Sequence, residues 1–165
     1  MTKKAYIAGG CFWGIEELIR TQPGILETEA GYTGGNNENP TYENHDGHAE
    51  ALEVEYDDTV TSYKNILDFF FQIHNPTTMN QQGNDRGTAY RSAIFYQSAD
   101  EKEIAQGMID IVDESHRWPE PVVTTLEPFT RFWNAEGYHQ DYLQKNPGGY
   151  TCHAIYFDSY LDAAR

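Results

Sequence analysis

Short apolar runs and amphipathic stretches alternate along this chain, and their order predicts four strands, each followed by a helix. Strands are predicted at residues 5–8, 52–57, 90–96 and 122–126, where apolar side chains are continuous or alternate with polar ones. Helices are predicted at residues 12–20, 61–73, 98–112 and 138–143, from apolar residues at helical spacing and from capping residues. This alternation predicts an α/β (α+β) domain with two layers and a mixed sheet.

Two polar stretches interrupt this pattern. Residues 31–37 are rich in Gly and Asn and lead into a long polar loop, so we expect irregular structure there. Residues 79–88 form a second polar stretch of the same kind. Long loops are uncommon in a compact domain unless they carry function, and both are therefore expected to help build a site.

The turn between the first predicted strand and the first predicted helix carries Cys11. Two glycines precede it and allow a tight turn. A thiol at a helix N-terminus faces unpaired N–H groups and the positive end of the helix dipole, which favour the reactive thiolate, although the charges of Glu16 and Glu17 oppose this effect. Phe12 and Trp13 follow directly and place apolar surface beside the sulfur. We interpret Cys11 as a nucleophile for a small apolar substrate; the alternative is a buried core thiol.

The alternation that runs from Leu52 to Asp57 makes Glu50 a candidate acid when it is carried backwards. Apolar residues occupy the even positions from Leu52 to Tyr56, and acidic residues occupy the odd positions, so the two sets lie on opposite faces. Glu53 and Glu55 are then expected to be solvated, whereas the apolar face extends backwards to Glu50. Burial raises the pKa of a carboxyl group and keeps it neutral at pH 7, when it can donate a proton. The alternative is that Glu50 precedes the strand and lies in water.

Length and charge narrow the class of protein. A chain of 165 residues suits one domain, predicted here to span residues 1–165. Asp and Glu number 26 against 11 Lys and Arg, and the net charge of −15 argues against nucleic acid or an anionic membrane as partner. No apolar run approaches the roughly 20 residues of a membrane helix, and no apolar region follows the N-terminal lysines as a signal peptide requires. We therefore expect a cytoplasmic protein.

The two cysteines, Cys11 and Cys152, lie near opposite ends of the chain. In a reducing compartment they are expected to be catalytic or redox-active. A structural disulfide between them is the alternative, and closing so long a loop stabilises a fold by roughly 4–5 kcal/mol. Cys152 follows a predicted stop at Pro147 and lies in the segment 147–165, which we expect to be a mobile tail.

Together these parts suit the reduction of a methionine sulfoxide. A thiolate can attack the sulfoxide sulfur while a neutral acid protonates the oxygen, and apolar side chains can hold the methyl group. The attacking cysteine becomes a sulfenic acid, which condenses readily with a second thiol.

Four motifs carry a resemblance to a known family. The chain resembles peptide methionine sulfoxide reductase A in Gly10-Cys11-Phe12-Trp13-Gly14, Gly47-His48-Ala49-Glu50, Gly83-Asn84-Asp85 and Tyr138-His139-Gln140. The resemblance extends from about residue 7 to residue 152. It implies a two-layer sandwich around a ferredoxin-like split βαβ core, with no bound cofactor. We expect a monomer, because no feature of the sequence demands a larger assembly. The resemblance also implies that the S epimer of methionine sulfoxide, free or in proteins, is the substrate and that thioredoxin is the reductant.

The resemblance further implies a role for individual residues. Cys11 would be the nucleophile, Glu50 the proton donor and Cys152 the resolving cysteine. The implied substrate-binding residues hold the methyl group, bind the oxygen or line the pocket: Phe12, Trp13, Tyr42, Asp85, Tyr90, His139, Tyr142 and Tyr150. The sequence departs from the common family pattern at Thr151, which separates Tyr150 from Cys152. This insertion puts the reach of Cys152 to Cys11 in question.

Three other functions fit parts of the sequence. A thiol peroxidase needs a reactive and a resolving cysteine but no methyl-binding wall. A metal-binding protein could use His45, His48 and Glu50 with His74 and His139, but this spacing is not a strong metal-site pattern, and no metal site is predicted. A non-catalytic binding module would use the exposed aromatic residues and leaves the position of Cys11 unexplained.

Overall fold

A computed structural model describes residues 2–36, 38–45, 47–149, 151 and 153–163 of the chain, with the backbone alone for residues 162 and 163. The strands in these ranges are β1 Thr2–Gly9, β2 Ile25–Thr33, β3 Ala49–Asp57, β4 Gln81–Gln82, β5 Asp85–Arg86, β6 Ser92–Tyr96, β7 Thr125–Pro128 and β8 Trp133–Asn134. The α-helices are α1 Phe12–Ile19, α2 Tyr63–Gln72, α3 Ala99–Ser115, α4 Tyr142–Lys145 and α5 Tyr160–Ala163. Two 3₁₀-helices, Thr88–Tyr90 and Gly137–His139, complete the order. None of the helices in these ranges is long and apolar enough to cross a bilayer.

Six strands form one mixed sheet in the order β7-β6-β1-β3-β2-β8. Strand β3 lies between β1 and β2 and is antiparallel to both, and β6 is antiparallel to the other edge of β1. The unit β1–α1–β2 is therefore a split βαβ, and α2 and β6 complete the ferredoxin-like arrangement. Helix α3 then carries the chain to β7, which is parallel to β6. The predicted fold class is confirmed.

Alternation along the strands separates the two faces of the sheet. On β3, Leu52, Val54 and Tyr56 pack with helices α1, α2 and α3 in the main hydrophobic core. The opposite face carries small residues such as Ala49 and Ala51, and its apolar cluster is covered by Phe129 and Phe132. Segments on both sides of the sheet therefore exclude water from the middle of β3.

The prediction that Glu53 is fully solvated is wrong. Its side chain is only 16% exposed, because it accepts a hydrogen bond of 2.9 Å from the Tyr6 hydroxyl and lies 3.4 Å from the Lys4 ammonium group. The neighbouring strand β1 supplies both partners, and the sequence pattern of β3 alone contains neither.

The long helices begin where the capping signals predict. Ser62 accepts a hydrogen bond from the Asn65 N–H at the start of α2, and Ser98 accepts one from the Glu101 N–H at the start of α3. The Glu101 carboxylate reaches back to the N–H of Gln97, one residue before the cap. Each cap satisfies a backbone donor that the first turn of a helix leaves without a partner.

Strand β2 is absent from the sequence prediction, and residues 31–33, which were expected to be irregular, belong to it. Cross-strand pairing with β3 on one side and β8 on the other stabilises this segment despite its glycine. A Cβ atom at Gly31 would overlap the Phe132 ring and the Trp133 carbonyl oxygen. Gly31 therefore permits a close approach of two strands and does not mark a turn.

Other boundaries also differ from the prediction. Tyr90 lies in a 3₁₀-helix ahead of β6, and β7 lies at Thr125–Pro128 and not at 122–126. The helix expected over 138–143 is divided into a 3₁₀-helix and α4, because Asp141 has a φ of +53°, which an α-helix cannot contain. The second polar stretch, expected to be irregular, contains the short hairpin β4–β5.

The described part of the segment 153–163 packs against α2 and α3. The Tyr156 N–H donates to the Gln72 carbonyl oxygen at 2.8 Å. Asp68 accepts hydrogen bonds from the Ser159 hydroxyl at 2.6 Å and from the Tyr160 N–H at 2.8 Å. These contacts hold the described residues 156–160 against α2. The mobility predicted for the segment 147–165 stays a prediction.

Candidate active site

The site begins at the turn from β1 to α1. Gly10 has a φ of +99°, and a Cβ atom there would lie 2.6 Å from the Gln82 side chain, so both the conformation and the space require glycine. Cys11 follows at the N-cap position of α1 and is 6% exposed. Its sulfur therefore lies at the helix end whose N–H groups and dipole favour a negative charge. This is the position that the sequence predicts for Cys11.

Glu50 lies directly beside this helix end. Its Oε1 accepts a hydrogen bond of 3.3 Å from the Phe12 N–H, the first backbone donor after Cys11. The side chain is 1% exposed, and its Oε2 accepts no hydrogen bond from the described residues. Burial raises the pKa of Glu50 to about 8; the Phe12 N–H and Tyr90 act in the opposite direction, and the charge of Asp85 adds to the increase. Most of this carboxyl group is therefore protonated at pH 7.

Two tyrosines and an aspartate share this pocket. The side chains of Tyr42 and Tyr90 interact with each other, and both lie within electrostatic range of Cys11 and Glu50. Burial and the neighbouring negative charges raise the pKa of both hydroxyls, so both remain hydrogen-bond donors at neutral pH. Asp85 influences Glu50, Tyr42 and Tyr90 alike. The structure thus brings together five of the predicted site residues.

An aromatic wall adjoins them. Trp13 stacks on Tyr142 with ring centroids 3.8 Å apart, and its indole N–H donates to His139 Nδ1 at 3.0 Å. Because Nδ1 accepts, the proton of neutral His139 lies on Nε2. Burial lowers the pKa of His139 and keeps it neutral, although the charge of Glu136 acts in the opposite direction. This hydrogen bond and the stack on Tyr142 fix the orientation of the Trp13 ring.

Phe12 differs from Trp13 in exposure. Its side chain is 1% exposed and packs beneath the site, with its ring centroid 5.2 Å from that of His139 and 5.7 Å from that of Tyr32. Trp13 is only partly buried. The partly exposed aromatic surface beside Cys11 is therefore that of Trp13, and Phe12 supports it from below.

Glu16 is a buried structural group in this fold. Its carboxylate is fully buried and accepts hydrogen bonds from the Thr28 hydroxyl at 2.9 Å and from the Asp141 N–H at 2.8 Å. Burial raises its pKa, and these hydrogen bonds together with Arg20 partly offset the increase. Glu16 thus joins α1 to β2 and to the start of α4, which carries Tyr142.

Sequence reasoning missed Glu136. Its Oε1 accepts from the Tyr32 hydroxyl at 3.0 Å, and its Oε2 accepts from the Tyr42 N–H at 3.1 Å and from the Tyr138 hydroxyl at 3.2 Å. A signal was available, because Glu136 lies two residues before the motif that begins at Tyr138 and is the acidic residue nearest to it on that side.

Tyr150 and Cys152, predicted as a pocket residue and as the resolving cysteine, lie outside the described residues. Their neighbours Thr151 and His153 are described and contact the site. The Thr151 hydroxyl accepts from the His153 N–H at 3.1 Å, and His153 Nε2 donates to the Gly9 carbonyl oxygen at 2.7 Å. Both side chains pack against Gly14 of α1, where a Cβ atom would overlap them. Among the residues described, no three or more His, Cys, Asp or Glu side chains are grouped as a metal site.

Comparison with known proteins gives concordant matches. The family model described as peptide methionine sulfoxide reductase matches residues 3–161. A protein of Mycobacterium sp. (strain JLS) named peptide methionine sulfoxide reductase MsrA is 59% identical over 151 residues, covering 92% of this chain and 88% of the relative. The crystal structure of Mxr1 from Saccharomyces cerevisiae in reduced form has a TM-score of 0.84 at 38% identity, covering 94% of this chain and 93% of that chain. A structure of Mxr1 in complex with Trx2 has a TM-score of 0.62 at 27% identity, covering 94% and 91%.

Proposed function

The chain belongs to the peptide methionine sulfoxide reductase MsrA family, and from this premise we propose that it reduces the S epimer of methionine sulfoxide, free or in proteins, to methionine. The observation that carries the proposal is the pair formed by Cys11 and Glu50. A thiol at a helix N-terminus and a buried carboxyl group with a pKa near 8 lie on either side of the Phe12 N–H. A nucleophile and a neutral acid are the two groups that this reduction requires.

In the first step, the Cys11 thiolate attacks the sulfoxide sulfur and Glu50 donates its proton to the sulfoxide oxygen. The substrate sulfur–oxygen bond then breaks as the hydroxyl group transfers to the Cys11 sulfur, and the sulfur–sulfur bond formed in the attack breaks, so that methionine leaves and Cys11 becomes a sulfenic acid. The substrate sulfur gains two electrons and the Cys11 sulfur loses two. The contact between Glu50 and the backbone next to Cys11 supports this arrangement of acid and nucleophile.

The substrate is held by the side chains around this pair. Tyr42 and Tyr90 would donate hydrogen bonds to the sulfoxide oxygen, and their raised pKa values keep the donors protonated. Trp13, supported by Phe12 and oriented by His139, would contact the methyl group. The stack of Tyr142 on Trp13 supports a place for Tyr142 in the same wall. Asp85 contributes through its negative charge, which raises the pKa of Glu50, Tyr42 and Tyr90.

In the second step, we assign the attack on the Cys11 sulfenic acid to Cys152. A sulfur–sulfur bond forms and water leaves. The contacts of Thr151 and His153 with Gly14 and Gly9 support this role, because they tie both sequence neighbours of Cys152 to the helix that begins after Cys11. The added Thr151 itself makes one of these contacts.

A dithiol must then reduce the disulfide by thiol exchange. We propose thioredoxin, on the strength of the complex of the yeast relative Mxr1 with Trx2. We further propose that the enzyme acts as a cytoplasmic monomer without a bound cofactor, and that nucleic acid and membranes are not among its partners. The net charge of −15 supports the exclusion of nucleic acid and anionic membranes.

The experiment that tests this function uses the reduced enzyme, one epimer of methionine sulfoxide in excess and no other reductant. We expect about one methionine per enzyme from the S epimer, none from the R epimer, and loss of both thiols. Methionine is counted by chromatography, thiols by titration, and the Cys11–Cys152 bond by peptide mapping.

Each other outcome has a defined meaning. Methionine formed with Cys152 intact would keep the reductase and remove the resolving role. Absence of methionine from both epimers would refute the proposed function, and a faster loss of thiols with hydrogen peroxide than with either sulfoxide would favour a thiol peroxidase.

Replacement of Gly14 by alanine tests the second step. The added methyl group would displace Thr151 and His153, so we expect disulfide formation to slow on the order of 10- to 100-fold while the first methionine is still released. Quenched-flow samples that separate sulfenic acid from disulfide measure the two steps. The matched control is Gly107→Ala in α3, where a Cβ atom meets nothing within 4 Å. Disulfide formation at the wild-type rate in Gly14→Ala would show that these contacts do not place Cys152.

A further inference from the structure

Glu136 holds together three segments around the site. Its carboxylate accepts from the hydroxyl of Tyr32 on β2, from the backbone N–H of Tyr42 and from the hydroxyl of Tyr138 in the 3₁₀-helix Gly137–His139. Its backbone carbonyl oxygen accepts from the His139 N–H at 2.9 Å. The contact with Tyr42 joins residues that are 94 positions apart in the sequence. Glu136 therefore connects the sheet, the loop before β3 and the segment that carries His139.

The loop that contains Tyr42 depends on contacts of this kind. Tyr42 is 38% exposed and lies between Thr41 and Asn44, which pair with each other through the backbone bridge of a local turn. The loop also contacts the rest of the protein through aromatic rings: His45 stacks on Tyr32 at 5.0 Å, and Tyr42 lies 4.6 Å from His139. Tyr32 and His139 are themselves bonded to Glu136.

We infer that Glu136 is a positioning residue that holds the Tyr42 hydroxyl beside Tyr90 and Glu50, where the sulfoxide oxygen is protonated. This inference rests on the proposed function, in which Tyr42 binds that oxygen. A carboxylate suits the task because both its oxygens accept and neither donates. A leucine of similar size has no acceptor, so Glu136→Leu removes the hydrogen bonds from the Tyr32 hydroxyl and from the Tyr42 N–H together, whereas the oxygen of a glutamine can still accept from the Tyr42 N–H.

The charge state of Glu136 is consistent with this role. Burial acts to raise its pKa, but the hydrogen bonds from the Tyr42 N–H and from the Tyr32 and Tyr138 hydroxyls outweigh burial and lower it. The carboxylate form therefore persists throughout the pH range in which the enzyme is assayed.

The test is a double-mutant cycle between Glu136→Leu and Tyr42→Phe, with kcat and KM measured on the S epimer and a dithiol reductant. If Glu136 acts through the Tyr42 hydroxyl, Glu136→Leu lowers kcat/KM about tenfold in the wild-type background and less than about twofold in the Tyr42→Phe background. Equal losses in the two backgrounds would overturn the inference, because a general loss of structure is independent of one hydroxyl group. Tyr138→Phe is the matched control, since it removes one donor from Glu136 Oε2 and leaves the Tyr42 contact.

A second measurement does not depend on activity. We expect the Tyr42 amide hydrogen to exchange about tenfold faster in Glu136→Leu and at the wild-type rate in Tyr138→Phe. Unchanged exchange in Glu136→Leu would refute the contact, while thermal unfolding of both variants shows whether they fold. A wild-type enzyme that releases no methionine would refute the proposed function, and hydrogen exchange would still decide whether Glu136 positions Tyr42.

Discussion

Replacing Cys11 by serine is expected to abolish methionine formation, with a loss of at least about 10⁴-fold in the rate of the first turnover. Reduction of a sulfoxide needs two electrons, which the thiolate supplies as it becomes a sulfenic acid. A serine hydroxyl at the same helix end can neither attack sulfur effectively at neutral pH nor accept the oxygen. The measurement is methionine released per enzyme from the S epimer in a single turnover.

Cys152→Ser is the matched control for Cys11→Ser. It is expected to release about one methionine per enzyme and to stop at the Cys11 sulfenic acid, which dimedone traps. If Cys11→Ser kept the first turnover and Cys152→Ser lost it, the nucleophile would be Cys152 and the assignment of the two cysteines would be reversed.

Replacing Glu50 by glutamine is expected to lower kcat/KM by about 10²–10⁴-fold, the usual contribution of a general acid. The amide keeps the shape of the side chain and can still accept the hydrogen bond from Phe12, but it has no proton to donate. In the wild type, activity should fall as the pH rises through about 8, because Glu50 loses its proton there. The pH profile of Glu50→Gln should lack this decrease, and a decrease at the same pH in the variant would assign it to another group.

Although Glu50→Gln is expected to lower activity, it is expected to raise the free energy of unfolding at high pH. The folded-state pKa of Glu50 is raised from 4.5 to about 8, so its contribution to stability is fully present below about pH 4.5 and is lost as the pH rises through 8. At pH 9, Glu50→Gln should therefore be more stable than the wild type by on the order of 3–5 kcal/mol. Urea unfolding at pH 5 and pH 9 measures the difference, and Glu55→Gln on the same strand is the control. If Glu50→Gln is less stable than the wild type at both pH values, burial of the ionised Glu50 carboxylate does not destabilise the wild type at pH 9.

The family assignment makes this chain a peptide methionine sulfoxide reductase, an oxidoreductase. The structure adds to that assignment the way in which distant segments meet at one helix end. Cys11 comes from the first turn of the fold, Glu50 from the middle strand, and His139 from the segment before α4. Glu16 and Glu136 are buried or partly buried carboxylates that join these segments, and neither lies in a motif that carries the resemblance.

Local signals determined much of this protein. The glycines before Cys11, the serine caps of α2 and α3, and the alternation along β3 act through neighbouring residues, so the sequence alone was enough to place Cys11 at a helix start and Glu50 on a buried face. The fold class follows from the order of these elements.

Tertiary contacts decided the rest, because they depend on residues far apart in the chain. Strand β2 forms because β3 and β8 pair with it, although the glycines and asparagines from Gly31 onward predict irregular structure. Glu53 is partly covered because β1 brings Tyr6 and Lys4 to it. Glu136 reaches Tyr42 across 94 positions. Periodicity describes the face on which a side chain lies, but only the packed sheet determines which partner stands opposite it.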